Sequence, residues 1–194
     1  MNIQTKTTDV SAWRDFYRGR EGDDYLEYVK KRYRPFIDAI DTHLEYDDTV
    51  VEQGCGTGTI TKILMDWNRR QSYILADPDS EMLAVAGNRC PEAIRVQRYA
   101  HEPLGLVSPH IVHSHGVLEH LSDRMIRHVI WMNNAAKWQF HYVPGLYPAP
   151  SFGDERLMSV DQWNTICKPH EIVTFNDGLD YMLVFKRGGG QFVF

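Results

Sequence analysis

The stretch Val50-Val51-Glu52-Gln53-Gly54-Cys55-Gly56-Thr57-Gly58-Thr59-Ile60 constrains this chain more than any other. An apolar pair passes through an acidic residue into three glycines at alternate positions, and a helix is predicted from Thr59. Lacking a Cβ and free to take φ > 0, glycines let a backbone approach a ligand closely. A strand that enters a helix through such a turn reads as a cofactor loop. Spacing narrows the cofactor. A dinucleotide fingerprint, Gly-x-Gly-x-x-Gly, needs its third glycine where Thr59 stands. A phosphate-cradling loop needs Gly-Lys-Ser/Thr, and Gly58-Thr59-Ile60 has no lysine.

Beyond the loop, Ile60, Ile63, Leu64 and Trp67 fall at helical spacing, and Gln71 to Ala76 reads as a second buried strand ending at Asp77. Asp77 follows the glycines by about twenty residues, the distance at which a strand-end carboxylate meets a ribose. A turn or helix-capping acid is the alternative. A helix is predicted from near Ser80, and a further strand leads into Ser114-His115-Gly116-Val117-Leu118-Glu119-His120-Leu121. The Glu-x-Gly-x-Gly-x-Gly loop, the Asp77-Pro78-Asp79 turn and the Leu-Glu-His-Leu segment occur in the order found in class I S-adenosylmethionine-dependent methyltransferases. The chain resembles that family, in its small-molecule form, closely over residues 45 to 125 and in outline elsewhere.

The resemblance implies a doubly wound, mostly parallel seven-stranded α/β sheet with an antiparallel C-terminal strand, Rossmann-like in build. It divides the chain into an N-terminal helical lid segment, 1–44, and a cofactor-binding domain, 45–194. It implies S-adenosylmethionine as cofactor, held by Glu52, Gly54, Cys55, Gly56 and Gly58 of the loop and by Asp77, Pro78 and Met82. Tyr99, Ala100 and Ser114 at later strand ends, with Tyr17 from the lid, complete the expected cofactor site. The family usually carries an acid beside the adenine, where this chain has Tyr99 and His101.

With 194 residues, 43% of them hydrophobic, a single core is expected. A net charge of −5 gives no general attraction to phosphate backbones. A local basic face of Lys30, Lys31, Arg32 and Arg34 leaves a nucleic-acid or protein methyltransferase as an alternative. Asn/Asp-Pro-Pro-Tyr/Phe and Pro-Cys, the marks of DNA adenine and cytosine-C5 enzymes, are absent after the fourth strand. A small hydroxylated or aminated acceptor is therefore expected, and nucleic acid is not. The three scattered cysteines, Cys55, Cys90 and Cys167, suggest neither a disulfide framework nor a thiolate zinc site. The polar Met1 to Asp9 lacks a signal core, and no run reaches a membrane span. A soluble, cytoplasmic protein is expected, with a dimer open as an alternative through the apolar tail after Gly188.

One helical stretch is predicted from Asp24 to Leu44, broken at Pro35, then strands over 93–98, 110–114 and 139–143. An amphipathic helix is predicted from Met125 to Trp138, a binding loop over Pro144 to Met158, and a helix capped by Ser159. A hairpin turning through Asn176-Asp177-Gly178-Leu179 ends the sheet. The chemistry the resemblance implies is in-line displacement at a sulfonium methyl, with positioning as its main source of rate. A hydroxyl or amine acceptor gains from a general base, for which histidine suits neutral pH. His115, His141 and His120 are the candidates, in that order, each with a structural alternative. Some ubiquinone-biosynthesis O-methyltransferases hold a metal with two glutamates and a histidine in this segment. Glu119 and His120 match, but Gly116 stands where the other acid would be, so no metal is expected. A cofactor-binding partner protein without acceptor chemistry is the non-enzymatic alternative.

Overall fold

The computed structural model describes residues 10–20, 22–103, 105 and 108–188. Met1 to Asp9 and the tail beyond Gly188 lie outside them, so the docking tail is not described. Seven strands, β1 (Thr49–Gln53), β2 (Ser72–Asp77), β3 (Ile94–Gln97), β4 (Ile111–His115), β5 (Trp138–Pro144), β6 (Glu171–Phe175) and β7 (Asp180–Lys186), form one sheet. Their order is β3-β2-β1-β4-β5-β7-β6. The first five pair in parallel, while β7 runs antiparallel to both β5 and β6. This is the expected doubly wound sheet.

Helices cover both faces. On one, α2 (Asp23–Arg32), α3 (Arg34–Thr42) and α4 (Thr59–Trp67) pack Phe36, Ile37, Ile40, Ile63 and Leu64 against Val50, Tyr73, Phe140 and Val184. On the other, α6 (Asp123–Met132) and α7 (Val160–Cys167) bury Ile126, Val129, Ile130 and Trp163 over Val143, Leu183 and Phe185. Strand alternation divides the faces: Val50 belongs to the first core, Val51 to a cluster with Ile74 and Val112. Helix α5 (Ser80–Arg89) follows β2, and α1 (Val10–Tyr17) lies apart from these layers. Helices α2 and α3 are core layers, with Phe36, Ile37 and Ile40 fully buried.

Two helix predictions are corrected. The break in the N-terminal stretch falls at Tyr33, and Arg34 is helical, because Pro35 sits in the first turn of α3, where no backbone N–H is needed. The helix predicted through Trp138 ends at Met132. Asn133 caps α6 and turns its side chain inward to Gln53, donating from Nδ2 to Oε1 at 2.8 Å, and Trp138 opens β5. The Gln53 amide in turn donates to the Ala100 carbonyl at 3.2 Å, so the ends of β1, β3 and α6 are tied together.

Candidate active site

The sheet order reverses between β1 and β4, and open α/β sheets bind ligands beyond the carboxyl ends of their strands at such a reversal. A cavity of about 150 Å³ lies there, lined by Gly54, Gly56, Asp77, Pro78, Met82, Tyr99, Ala100, His115, His120 and Tyr17 among others. Its walls are largely aromatic and apolar, with one strand-end carboxylate.

The glycine loop is held open by its own backbone. Gly54, Gly56 and Gly58 take φ of +66°, +50° and +69°. A Cβ on Gly54 would stand 2.5 Å from Val117 Cγ2, and one on Gly56 would meet the Tyr17 ring at 3.2 Å. Gly58 serves packing instead: it begins α4 and lets Ala86 of α5 approach to 3.0 Å from where its Cβ would be. Asp77 braces the loop as well as facing the cavity. Its carboxylate accepts from Gly56 N and from Asp79 N, each at 2.9 Å. Burial pushes this carboxyl up to about 6 against the pull of those two amides.

Several sequence candidates stand behind the cavity wall. Glu52 accepts from Thr61 N at 3.2 Å and Thr61 Oγ1 at 2.6 Å, satisfying the first turn of α4. Burial raises its carboxyl to about 7. With Cys55 it lines a smaller hollow under the loop, shared with Tyr17 and His115. Ser114 and His141 are buried partners of each other, Oγ to Nδ1 at 2.8 Å, and His141 Nε2 meets Gln139 Oε1 at 3.3 Å. His141 lies in mid-strand and turns toward Phe185, away from the cavity. Strand β5 runs on to Pro144, which leaves His141 short of the carboxyl edge of the sheet.

His115 and His120 do line the cavity. The His115 ring stacks on Tyr142 at 4.3 Å and meets the Tyr33 edge at 4.1 Å. Its Nε2 has no hydrogen-bond partner among the described residues, and burial lowers the imidazole to about 4. It is neutral at physiological pH, with a ring nitrogen free to accept. His120 sits against the edge of Trp13 at 4.9 Å, its Nδ1 on Asp154 Oδ1 at 3.0 Å.

Helix α1 spans the cavity mouth. Arg14 reaches Asp79 with two nitrogens, Nε at 2.6 Å and Nη2 at 3.1 Å, and Glu81 with Nη1 at 2.6 Å. On the opposite side Trp13 and Phe16 pack on Phe152, with ring centroids 4.5 Å and 4.8 Å apart. Trp13, His101, Val117 and Leu121 also line the cavity, and sequence reasoning did not select them as site residues. For Trp13 the available signal was its position one helical turn before the selected Tyr17.

Residues 51–129 match a family model described as a methyltransferase domain. A comparison with curated proteins returns no match. Among solved structures, the PH0226 protein of Pyrococcus horikoshii OT3 is similar, with a TM-score of 0.71 at 11% identity, covering 89% of this chain and 98% of that one. An S-adenosylmethionine-dependent methyltransferase of Clostridium acetobutylicum ATCC 824 gives 0.68 at 11% identity over 91% and 99%. The magnesium protoporphyrin IX methyltransferase of Synechocystis PCC 6803, solved with S-adenosylmethionine bound, gives 0.66 at 14% identity over 96% and 100%. At such identities these likenesses establish the fold, and over residues 51–129 the chain matches the methyltransferase-domain family.

Proposed function

We propose that this protein transfers a methyl group from S-adenosylmethionine to an oxygen or nitrogen of a small-molecule acceptor. The observation that carries the reading is the cavity at the β1/β4 reversal, where left-handed glycines and the Asp77 carboxylate face one space. The residues fit the cofactor. The backbone at Gly54 and Gly56 comes to the cavity surface where a Cβ would crowd Val117 and Tyr17. Asp77 keeps lone pairs for ribose hydroxyls, since each of its oxygens takes one amide. Tyr99, Ala100 and His101 offer a flat wall for adenine, with Tyr99 and His101 stacked at 5.4 Å. When bound, the cofactor supplies an electrophilic methyl group.

What the chain does beyond binding is mainly positioning. Tyr17 and Trp13 close the mouth and exclude water, which strengthens every polar contact inside. His115 Nε2 accepts the acceptor's O–H or N–H and aims its lone pair. An imidazole held near 4 is a weak base, so orientation is its larger contribution. His141, enclosed between Ser114 and Gln139, takes no part in proton transfer. Small acceptors are supported by the confined cavity and by the acidic chain, and the neighbour that acts on a porphyrin agrees with this. The cytoplasm is the proposed location; no described helix is long and apolar enough to cross a membrane.

The test is calorimetric titration with S-adenosylmethionine and S-adenosylhomocysteine, with Asp77→Asn beside the unchanged protein, followed by an acceptor screen that detects the demethylated product. Saturable binding weakened in the variant, with turnover on some acceptor, is the expected result. Binding of neither compound refutes the reading at its base. Binding without turnover across hydroxylated and aminated panels favours a cofactor-binding partner protein instead.

A further inference from the structure

At the cavity rim, three side chains from two distant segments converge. Glu119 and His120 lie in the 3₁₀ turn Leu118–His120 that follows β4, and Glu155 lies in the loop between β5 and α7. One ligand atom from each falls within 4.8 Å of the others. Glu119 is 1% exposed, and its Oε2 has no hydrogen-bond partner among the described residues. A carboxylate oxygen so enclosed is costly unless something binds it. The Arg156 guanidinium bonds Asp123 Oδ1 at 2.7 Å and the Leu121 carbonyl, with its Nε unpartnered among the described residues, and the Arg156 backbone N–H donates to the Glu119 backbone carbonyl at 3.2 Å.

The histidine is set for ligation. Asp154 Oδ1 accepts a hydrogen bond from His120 Nδ1–H at 3.0 Å, which leaves the lone pair on Nε2, and Nε2 lies 4.0 Å from Glu119 Oε1. A carboxylate on the far nitrogen is the arrangement that fixes tautomer and raises basicity in metal-bound imidazoles. Glu155 is itself oriented, its Oε1 accepting from Ser151 Oγ at 3.1 Å. We propose that Glu119, His120 and Glu155 bind a divalent cation at the cavity rim. Two carboxylates and an imidazole suit manganese, magnesium, iron(II) or zinc. Around an ion with ~2.1 Å bonds, neighbouring ligand atoms stand about 3 Å apart, so Glu155 draws inward on its loop when the ion binds. The third ligand comes from a residue far along the chain.

Three protein ligands leave coordination positions open, and His120 lines the cavity, so the ion presents those positions to the acceptor. That role rests on the methyl-transfer reading; binding of the ion does not. The experiment therefore uses the ion alone. Mn²⁺, followed by electron paramagnetic resonance, and Zn²⁺, followed by calorimetry, are titrated into the full chain without cofactor. Glu155→Gln and His120→Asn are compared, since the buried Glu119→Gln risks misfolding, and circular dichroism reports the fold of each. One saturable ion per chain, weakened at least tenfold in both variants while S-adenosylmethionine binding stays unchanged in Glu155→Gln, is expected. Absence of saturable binding for both ions, or affinity unchanged by Glu155→Gln, overturns the site. Neither result depends on whether methyl transfer is found.

Discussion

Cutting the clasp between α1 and α5 should open the cavity without loosening the sheet. In Arg14→Met the aliphatic stem is retained and the two bonds to Asp79 and one to Glu81 are lost. The Glu81 pair contributes little, because that side chain is 66% exposed. The Asp79 pair is different: its carboxylate is 1% exposed and meets the guanidinium in a two-pronged fashion. Charge-assisted bonds of this kind contribute about 1.5–3 kcal/mol each, and exposure of Arg14 to 36% reduces the pair to roughly 2 kcal/mol together. At 1.4 kcal/mol per tenfold, the open population of α1 should rise about 30-fold. Hydrogen exchange over residues 10–20 reads this directly, with the β1 amides as internal reference. Burial alone would raise the Asp79 carboxyl, but Arg14 and the Glu81 amide outweigh it and hold it below its usual 3.8. A depressed carboxylate contributes stability present above its unfolded value and lost as pH falls through the folded one, so the contrast should be constant from pH 5 to 8. Unchanged exchange over 10–20 refutes the clasp, and equal acceleration in β1 shows a global effect instead.

Asp77→Ala strips the acceptor from the buried Gly56 amide and from Asp79 N, and should cost about 2–4 kcal/mol in denaturant unfolding beyond any loss of cofactor affinity. Gly54→Ala combines φ of +66° with a 2.5 Å approach to Val117 Cγ2, so about 2–4 kcal/mol should be lost in thermal melts. Val117→Ala should restore the contact part and leave the backbone part; full rescue would show that the backbone strain is absent. His113 is buried with both ring nitrogens unpartnered among the described residues, and burial, with His141 and His115 beside it, lowers it to about 3. A histidine depressed in this way contributes stability present above the unfolded value near 6.5 and lost as pH falls toward 3. Replacing it in His113→Leu should flatten the pH dependence of unfolding between 4 and 6.5 by about 1.4 kcal/mol per unit, and an unchanged slope contradicts the assignment.

The parts of the fold legible in the sequence are those written in local periodicity and turn chemistry. Short apolar runs marked β1 and β2 as buried strands, Ser159 marked a helix start that the structure completes as a capping box with Gln162, and Asn176-Asp177-Gly178 marked the hairpin. Misplaced boundaries arose where a local signal had two readings. Pro35 breaks a helix interior but opens one equally well, and Asn133 ends α6 because its amide finds Gln53, a partner 80 residues away.

By itself the sequence determined the glycine loop, the acid at position 77 and the order of strands and helices, because each depends on residues within a turn or two of one another. Tertiary structure alone decided which candidates share the cavity. It turned His141 and Ser114 toward each other in the interior, set Glu52 under α4 and left His115 at the surface of the site. It also joined Arg14 to Asp79 and brought Glu155 to Glu119. These meetings follow from the side of a strand or helix on which a residue falls once the whole sheet is assembled, and no local pattern encodes that distance in space.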